Sequence, residues 1–266
     1  MTRHIPRRRF GQHFLVDEEV IRQIVAVIGP QPEDSMVEIG PGLGALTTPL
    51  LSRLTRLHVV ELDRDIVVRL RETYPSSKLE IHSGDALAFD FSALGSALRV
   101  VGNLPYNIST PILFHLARNV AALRDVHVML QKEVVARIVA RPGTPQYGRL
   151  SVMLQYHFEA EAVLDVAASA FRPPPKVQSA VVRMAPRRVP AACFSDGLFA
   201  SVARAAFSQR RKTLRNALRT YLQQPDFAAL GLNPLVRPQD LSVDEFVGIA
   251  NYIGARDGAL RGSSSR

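Results

Sequence analysis

The chain has 266 residues, 47% of them hydrophobic and 21% charged, with a formal net charge of +9. That composition suits one large globular domain, or one domain with a smaller companion, and excludes wholesale disorder, a collagen-like repeat and a disulfide-stapled mini-protein. A single cysteine, Cys193, allows no internal disulfide and no cysteine metal cluster, and no apolar run approaches a membrane span.

The start, MTRHIPRRRFGQHFL, lacks the apolar segment of a secretory signal, which leaves a short mitochondrial presequence as the only targeting alternative. A reducing, cytoplasmic setting without a membrane partner is the expectation.

Asp17 is a plausible N-cap for a helix over Val20 to Ile28, where apolar residues recur at helical spacing and Gly29-Pro30 ends the run. Met36 to Ile39 reads as a buried strand that runs into Gly40-Pro41-Gly42-Leu43-Gly44 and then a helical segment, Ala45 to Leu54. Leu57 to Leu62 is a second strand, with Glu61 and Asp63 at its end and a helix through Arg71 after it. A third, Leu79 to His82, closes on Gly84-Asp85; a fourth, Leu98 to Gly102, closes on Asn103-Leu104-Pro105-Tyr106; Val126 to Gln131 is a fifth. Strands alternating with helices at this spacing predict an open α/β sheet, parallel over these five strands. In such sheets ligands bind at the carboxyl ends of the strands, where every unusual polar cluster here falls.

Beyond Arg149 the pattern predicts a helix through Phe158, a strand near Ala162 to Val166, the proline cluster of Phe171 to Lys176 and a strand over Val177 to Met184. Pro186 to Pro190 reads as a linker, Leu198 to Leu222 and Val243 to Ile253 as helices of a small second domain, and GALRGSSSR as a disordered tail.

The charge is uneven. Arg172 to Tyr221 holds 11 Lys or Arg against the one acid Asp196, whereas Gln12 to Phe171 holds 14 basic against 18 acidic residues. Only 4 of the 33 basic residues are Lys, an Arg bias that a GC-rich genome explains; the loss of acids from one stretch it does not explain. An anionic partner follows, with nucleic acid ahead of a membrane surface because no basic helix rich in aromatics stands out.

Glycines between a strand and a helix bring bare backbone amides up to a ligand. Gly40-x-Gly42-x-x-Ala45, with Glu61 placed 21 residues after Gly40, fits both a dinucleotide fingerprint and a methyltransferase. Asp85 can accept from an adenine amino group, and Asn-Leu-Pro-Tyr is not something hydride transfer requires; together they favour S-adenosylmethionine over NAD. An exocyclic amino group is a poor nucleophile because its lone pair is delocalised into the ring. Carbonyl acceptors placed where its hydrogens point stabilise the positive charge that grows during methyl transfer, and the Asn103 side chain and the Leu104 main chain can supply them. Pro105 holds the Leu104 carbonyl in place, and Tyr106 offers a flat face to an extruded base.

These motifs closely resemble the ribosomal RNA adenine N6,N6-dimethyltransferases of the KsgA (RsmA) type, over about Arg9 to Ile253. The resemblance rests on QHFL (Gln12 to Leu15), EIGPGLGALT (Glu38 to Thr47), GDAL (Gly84 to Leu87), NLPYNIS (Asn103 to Ser109), FRPPPKVQSAVV from Phe171 and FSQRRKTLRNAL from Phe207. It implies a seven-stranded Rossmann-like methyltransferase sheet with its last strand antiparallel, followed by a small all-helical domain. Residues 1–186 are expected to form the methyltransferase domain with a basic N-terminal arm, 187–257 the helical rRNA-binding domain and 258–266 the tail.

His13, Leu15, Gly40, Gly42, Glu61, Asp85, Ala86 and Asn103 are implied to bind S-adenosylmethionine. His13 stands where the family commonly has Asn. Asn103, Leu104, Pro105, Tyr106 and Phe171 are implied to be catalytic, with Tyr106 and Phe171 sandwiching the target adenine. Arg7, Arg8, Arg9, Lys176, Arg210, Arg211, Lys212 and Arg215 are the expected RNA contacts, those from Arg210 on opening a helix. The implied substrate is two adjacent adenosines near the 3′ end of small-subunit rRNA, each dimethylated within a pre-assembled subunit by a monomeric enzyme without a metal. The alternatives are a resistance-type enzyme acting on large-subunit rRNA, an RNA-binding assembly factor with dispensable catalysis and, more distantly, an NAD oxidoreductase.

Overall fold

The computed structural model describes residues 13–187, 193, 195–209 and 211–263. In chain order these form β1 (Phe14–Leu15), α1 (Glu18–Ile28), β2 (Met36–Ile39), α2 (Thr47–Leu51), β3 (Leu57–Glu61), α3 (Arg64–Thr73), β4 (Leu79–Ser83), β5 (Leu98–Asn103), α4 (Ser109–Arg118), β6 (Leu123–Gln131), α5 (Lys132–Ile138), α6 (Arg149–His157), β7 (Phe158–Val166), β8 (Phe171–Arg172), β9 (Ser179–Pro186), α7 (Asp196–Ser208), α8 (Leu214–Ala217), α9 (Gln224–Ala229) and α10 (Val243–Ser263). Asp17 caps α1 as its residue type predicts, its carboxylate accepting from the amides of Glu19 and Val20 at 3.0 and 3.2 Å.

Seven strands pair in the order β4-β3-β2-β5-β6-β9-β7. The first five are parallel, and β9 runs antiparallel to both β6 and β7. The near-continuous apolar runs of β2, β5 and β6 have the character of strands covered on both faces, and Val37, Val100, Val101 and Val128 are fully buried. Chain order reverses between β2 and β5, which opens a crevice at their carboxyl ends. The two strands come very close there: a Cβ on Gly102 would lie 2.6 Å from the Ile39 carbonyl oxygen, so only glycine fits. A second, two-stranded ribbon pairs β1 with β8, Leu15 opposite Phe171.

Residues 13–135 and 158–186 belong to one compact unit, and residues 136–157 pack with those from 187 onward in another. The second unit has its own core, in which Val152 and Tyr156 of the α6 region meet Phe199, Val202 and Ala206 of α7 and Phe246, Ile249 and Ala250 of α10. Three expectations change here. The segment 136–157, read with the sheet domain, belongs with the helical unit, because α6 turns Val152 and Tyr156 into that core. The helix read over Leu198 to Leu222 breaks after α7, because the amides of Leu214 and Arg215 bond instead to the carbonyls of Val236 and Pro234. The tail is helical as far as Ser263, since each residue added to α10 gains a backbone hydrogen bond once the helix is nucleated.

At the end of the sheet away from the crevice, Arg99 of β5 organises a buried polar cluster. Its Nε donates to Asp125 at 2.9 Å, its Nη1 to Asp34 at 2.6 Å and its Nη2 to the Ile28 carbonyl at 2.6 Å. All three charged side chains are at most 8% exposed. Burial alone would raise the Asp125 pKa; His127, whose Nδ1 is 3.6 Å away, and the Arg99 guanidinium outweigh it and hold the carboxyl at about 2. Arg99→Leu therefore leaves buried Asp125 without its guanidinium and takes from Asp34 one of its two, Arg124 remaining. Urea unfolding should show a loss of about 3–5 kcal/mol relative to the parent, and a loss below about 1 kcal/mol would mean that the cluster is solvated.

Candidate functional site

The carboxyl ends of β2, β3, β4 and β5 line a cleft of about 550 Å³, closed on another side by His13 to Val16. The turn after β2 holds Gly40 and Gly42 at φ of 67° and 55°, a left-handed backbone that side-chain-bearing residues rarely adopt. A Cβ on Gly40 would meet no protein atom within 4 Å, whereas one on Gly42 would press on the Phe14 ring at 3.3 Å. The turn thus bares its backbone to the cleft and packs closely under the N-terminal segment.

Acidic side chains follow at successive strand ends. Glu61, largely buried, accepts from the amide of Asp63 at 2.8 Å and from that of Gly42 at 3.4 Å, and burial pushes its pKa up. Asp85 is exposed; one oxygen accepts from the Leu87 amide at 2.9 Å, which leaves the other for a ligand. Ala86 beside it is a buried wall residue. Sequence reasoning assigned no role to Glu38, although a carboxylate inside the apolar run Met36-Val37-Glu38-Ile39 was its signal. Glu38 is fully buried against the cleft and takes a 2.6 Å hydrogen bond from Thr47 Oγ1; burial raises its pKa to about 7, with the nearby Glu61 charge adding to the rise.

The four residues after β5 are held from both sides. Upstream, Asn103 is in register with Met129 of β6, and the Leu104 amide donates to the Met129 carbonyl at 3.2 Å. Downstream, the Pro105 carbonyl accepts from the Ile108 amide and the Tyr106 carbonyl from Ser109 Oγ, which seats the segment on the start of α4. Asn103 Nδ2 donates to the His13 carbonyl at 3.1 Å, so Oδ1 is turned the opposite way. Neither Oδ1 nor the Leu104 carbonyl accepts a hydrogen bond among the described residues. Tyr106 shares a 2.7 Å hydrogen bond with Ser179 Oγ, and its ring stacks on His13 with centroids 5.8 Å apart and planes 29° from parallel. Burial raises the Tyr106 pKa, so the phenol is neutral at ordinary pH.

His13, Leu15, Gly40, Gly42, Glu61, Asp85, Ala86, Asn103, Leu104, Pro105 and Tyr106 all line the one cleft. Phe171 does not. Its ring is 1% exposed, packed in the apolar core with Leu15 and Ile24, so the expected stacking face is not presented. What the Phe171 segment does is pair with β1, while the Pro173 carbonyl accepts from His13 Nδ1 at 2.8 Å; residues 160 positions apart thereby fix each other. His13, implied as a donor ligand, has its ring committed to Pro173 and Tyr106.

Lys176 is exposed on the segment after Phe171, and Arg211, Lys212 and Arg215 are exposed in the helical unit, where Arg211 and Lys212 border a small surface depression with Ser208 and Gln209. None of these four cations forms an ion pair among the described residues. Arg7, Arg8, Arg9 and Arg210 lie outside the described residues. No helix among the described residues is long and apolar enough to cross a membrane.

The family model for ribosomal RNA adenine dimethylase matches residues 3–255. A ribosomal RNA small subunit methyltransferase A of Nitrosospira multiformis is 60% identical over 250 residues, covering 94% of this chain and 96% of that protein. Its counterpart from Aromatoleum aromaticum is 57% identical, covering 96% and 97%. A dimethyladenosine transferase from Plasmodium falciparum superimposes with a TM-score of 0.76 at 24% identity, covering 89% of this chain and 96% of that one. The 23S rRNA methyltransferase ErmE does so with a TM-score of 0.69 at 23% identity, covering 90% and 99%; at such identities these two likenesses show the fold.

Glu61 is a buried acceptor lining the cleft at the end of β3. Glu61→Gln should weaken binding of S-adenosylhomocysteine by about 2 kcal/mol, roughly thirtyfold in Kd, measured by calorimetry. Unchanged affinity would remove Glu61 from the ligand's contacts.

Proposed function

The chain belongs to the ribosomal RNA adenine dimethylase family, and on that premise we propose that it dimethylates N6 of two adjacent adenosines near the 3′ end of small-subunit rRNA, within a pre-assembled subunit. The observation that carries this reading is the pair of unengaged acceptors, Asn103 Oδ1 and the Leu104 carbonyl, at the mouth of a cleft built to hold a nucleoside-bearing methyl donor. Relatives at 60% and 57% identity over nearly their whole length carry the small-subunit name, so the large-subunit alternative is not favoured.

The residues present fit S-adenosylmethionine. Its amino-acid end suits the open space over Gly40, where no side chain stands within 4 Å, its ribose hydroxyls suit the buried acceptor Glu61, and its adenine amino group suits the open oxygen of Asp85. When bound, the donor supplies a methyl group on a cationic sulfur. The protein's own part is to prepare the acceptor nitrogen. Tyr106, fixed by Ser179 and flanked by His13, is the platform on which an extruded adenine stacks. Asn103 Oδ1 and the Leu104 carbonyl accept the N6 hydrogens, which draws the lone pair out of conjugation with the ring.

As positive charge grows on that nitrogen the same two oxygens bind it more strongly, so they stabilise the transition state more than the ground state. Because Nδ2 of Asn103 is already spent on His13, the amide cannot flip to present a donor without losing that bond. The cationic product nitrogen is acidic enough to release its proton to water, and no side chain need act as base.

Exposed, unpaired cations in both units suit an RNA ligand, whose phosphates position the substrate without specifying the base. One chain holds the whole cleft, so a monomer suffices, and the cytoplasm is where assembling subunits meet it.

Asn103→Ala removes one acceptor. Single-turnover methylation of small-subunit rRNA should slow by roughly 3 kcal/mol, on the order of a hundredfold, with S-adenosylhomocysteine affinity changed far less; normal turnover would refute the mechanism. Replacing Arg211, Lys212 and Arg215 together by Ala should lower the slope of log affinity against log salt by about 2, and an unchanged slope would move the RNA footprint elsewhere.

A further inference from the structure

Parallel strands β3 and β4 pair with His58 opposite Glu80 and Val60 opposite His82. With side chains alternating at period two, His58, Glu80 and His82 come to the same face of the sheet. This is the edge of the sheet, and none of the three lines the cleft. His58 Nδ1 lies 3.2 Å from His82 Nε2 and 3.4 Å from Glu80 Oε2, and His82 Nε2 lies 3.9 Å from Glu80 Oε1. The side chains are 20%, 38% and 24% exposed, so an ion could reach them from solvent without being lost in it.

These spacings have a physical meaning. Around tetrahedral zinc, with nitrogen and oxygen ligands about 2.0–2.1 Å from the ion, neighbouring ligand atoms are about 3.3 Å apart. The three observed separations bracket that value. Two imidazoles and one carboxylate are a borderline donor set suited to zinc, cobalt, nickel or copper, and poorly suited to magnesium or calcium. Arg56 Nη2 lies 2.8 Å from Glu80 Oε2 and competes with an ion for that carboxylate. Phe89 packs against the His82 ring at 5.0 Å and closes one side.

We infer that His58, Glu80 and His82 form a zinc-class divalent metal site, with water as the fourth ligand, that clips edge strand β4 to β3. No sequence motif announces it, because His58 and the Glu80-x-His82 pair lie 22 residues apart and become a ligand set only when the two strands pair in this register. The ion would steady the two strands whose ends carry Glu61 and Asp85 without touching the reacting atoms.

The test uses full-length protein stripped with a chelator and titrated with zinc chloride by calorimetry and with cobalt(II) by absorption. The site predicts one tight ion per chain, the intense visible bands of four-coordinate cobalt, and a thermal midpoint that rises with zinc. His58→Asn and His82→Asn should each weaken zinc binding at least tenfold, while leaving methyl transfer by the stripped protein and its circular dichroism unchanged. Arg56→Ala, which removes the competitor from an exposed position, should tighten zinc binding several-fold and serves as the check should a histidine variant fail to fold. No zinc binding at micromolar concentration, equal affinity in parent and histidine variants, or weaker binding by Arg56→Ala would overturn the proposal and leave a plain histidine–histidine hydrogen bond.

Discussion

The hydrogen bond from Asn103 Nδ2 to the His13 carbonyl decides which way the Asn103 amide faces. An asparagine offers a donor and an acceptor of nearly the same shape, and only the acceptor helps an amino group become cationic. In the mechanism proposed, committing the donor to a backbone carbonyl leaves the acceptor for the substrate. That carbonyl is itself held by the pairing of β1 with β8 and by the bond from the His13 ring to Pro173. The site is therefore preorganised by a ribbon joining segments far apart in the chain, and the N-terminal motif and the proline cluster are two halves of one support.

Charge divides along the same lines as chemistry. The stretch Gln12 to Phe171, which forms the cleft, has an acidic balance and places its carboxylates at strand ends, where they suit hydroxyl and amino groups. The basic stretch from Arg172 contributes Lys176, Arg211, Lys212 and Arg215, exposed and unpaired among the described residues. Net charge, which at first says only that the protein is basic, is the sum of an acidic part that bears the cleft and a basic part that suits the RNA ligand proposed. Away from the cleft, the Arg99 cluster shows a third use, in which buried charges are paired with one another and with a backbone carbonyl.

Features set by local sequence were legible. Short apolar runs located β2 to β6, and the Gly40 turn followed from its glycines. What depended on long-range pairing was not. Nothing near Phe171 says that its ring turns into the core while its backbone pairs with Leu15. The apolar face of α6 is as compatible with one core as with the other, so the allegiance of residues 136–157 was decided by Phe199 and its neighbours. The helix after Ser208 stops because amides of Leu214 and Arg215 find the carbonyls of a loop some twenty residues on, which no helix propensity records. The His58, Glu80 and His82 cluster belongs to this group, being a product of strand register.

The function proposed for the cleft is one reaction, the methylation of adenosine N6 in small-subunit rRNA. The most direct measurement incubates the protein with methyl-labelled S-adenosylmethionine and under-methylated small ribosomal subunits, digests the RNA to nucleosides and identifies the labelled product. Label in N6,N6-dimethyladenosine, confined to adjacent positions near the 3′ end, is the result predicted. Label only in large-subunit RNA, or in a nucleoside other than adenosine, would contradict it.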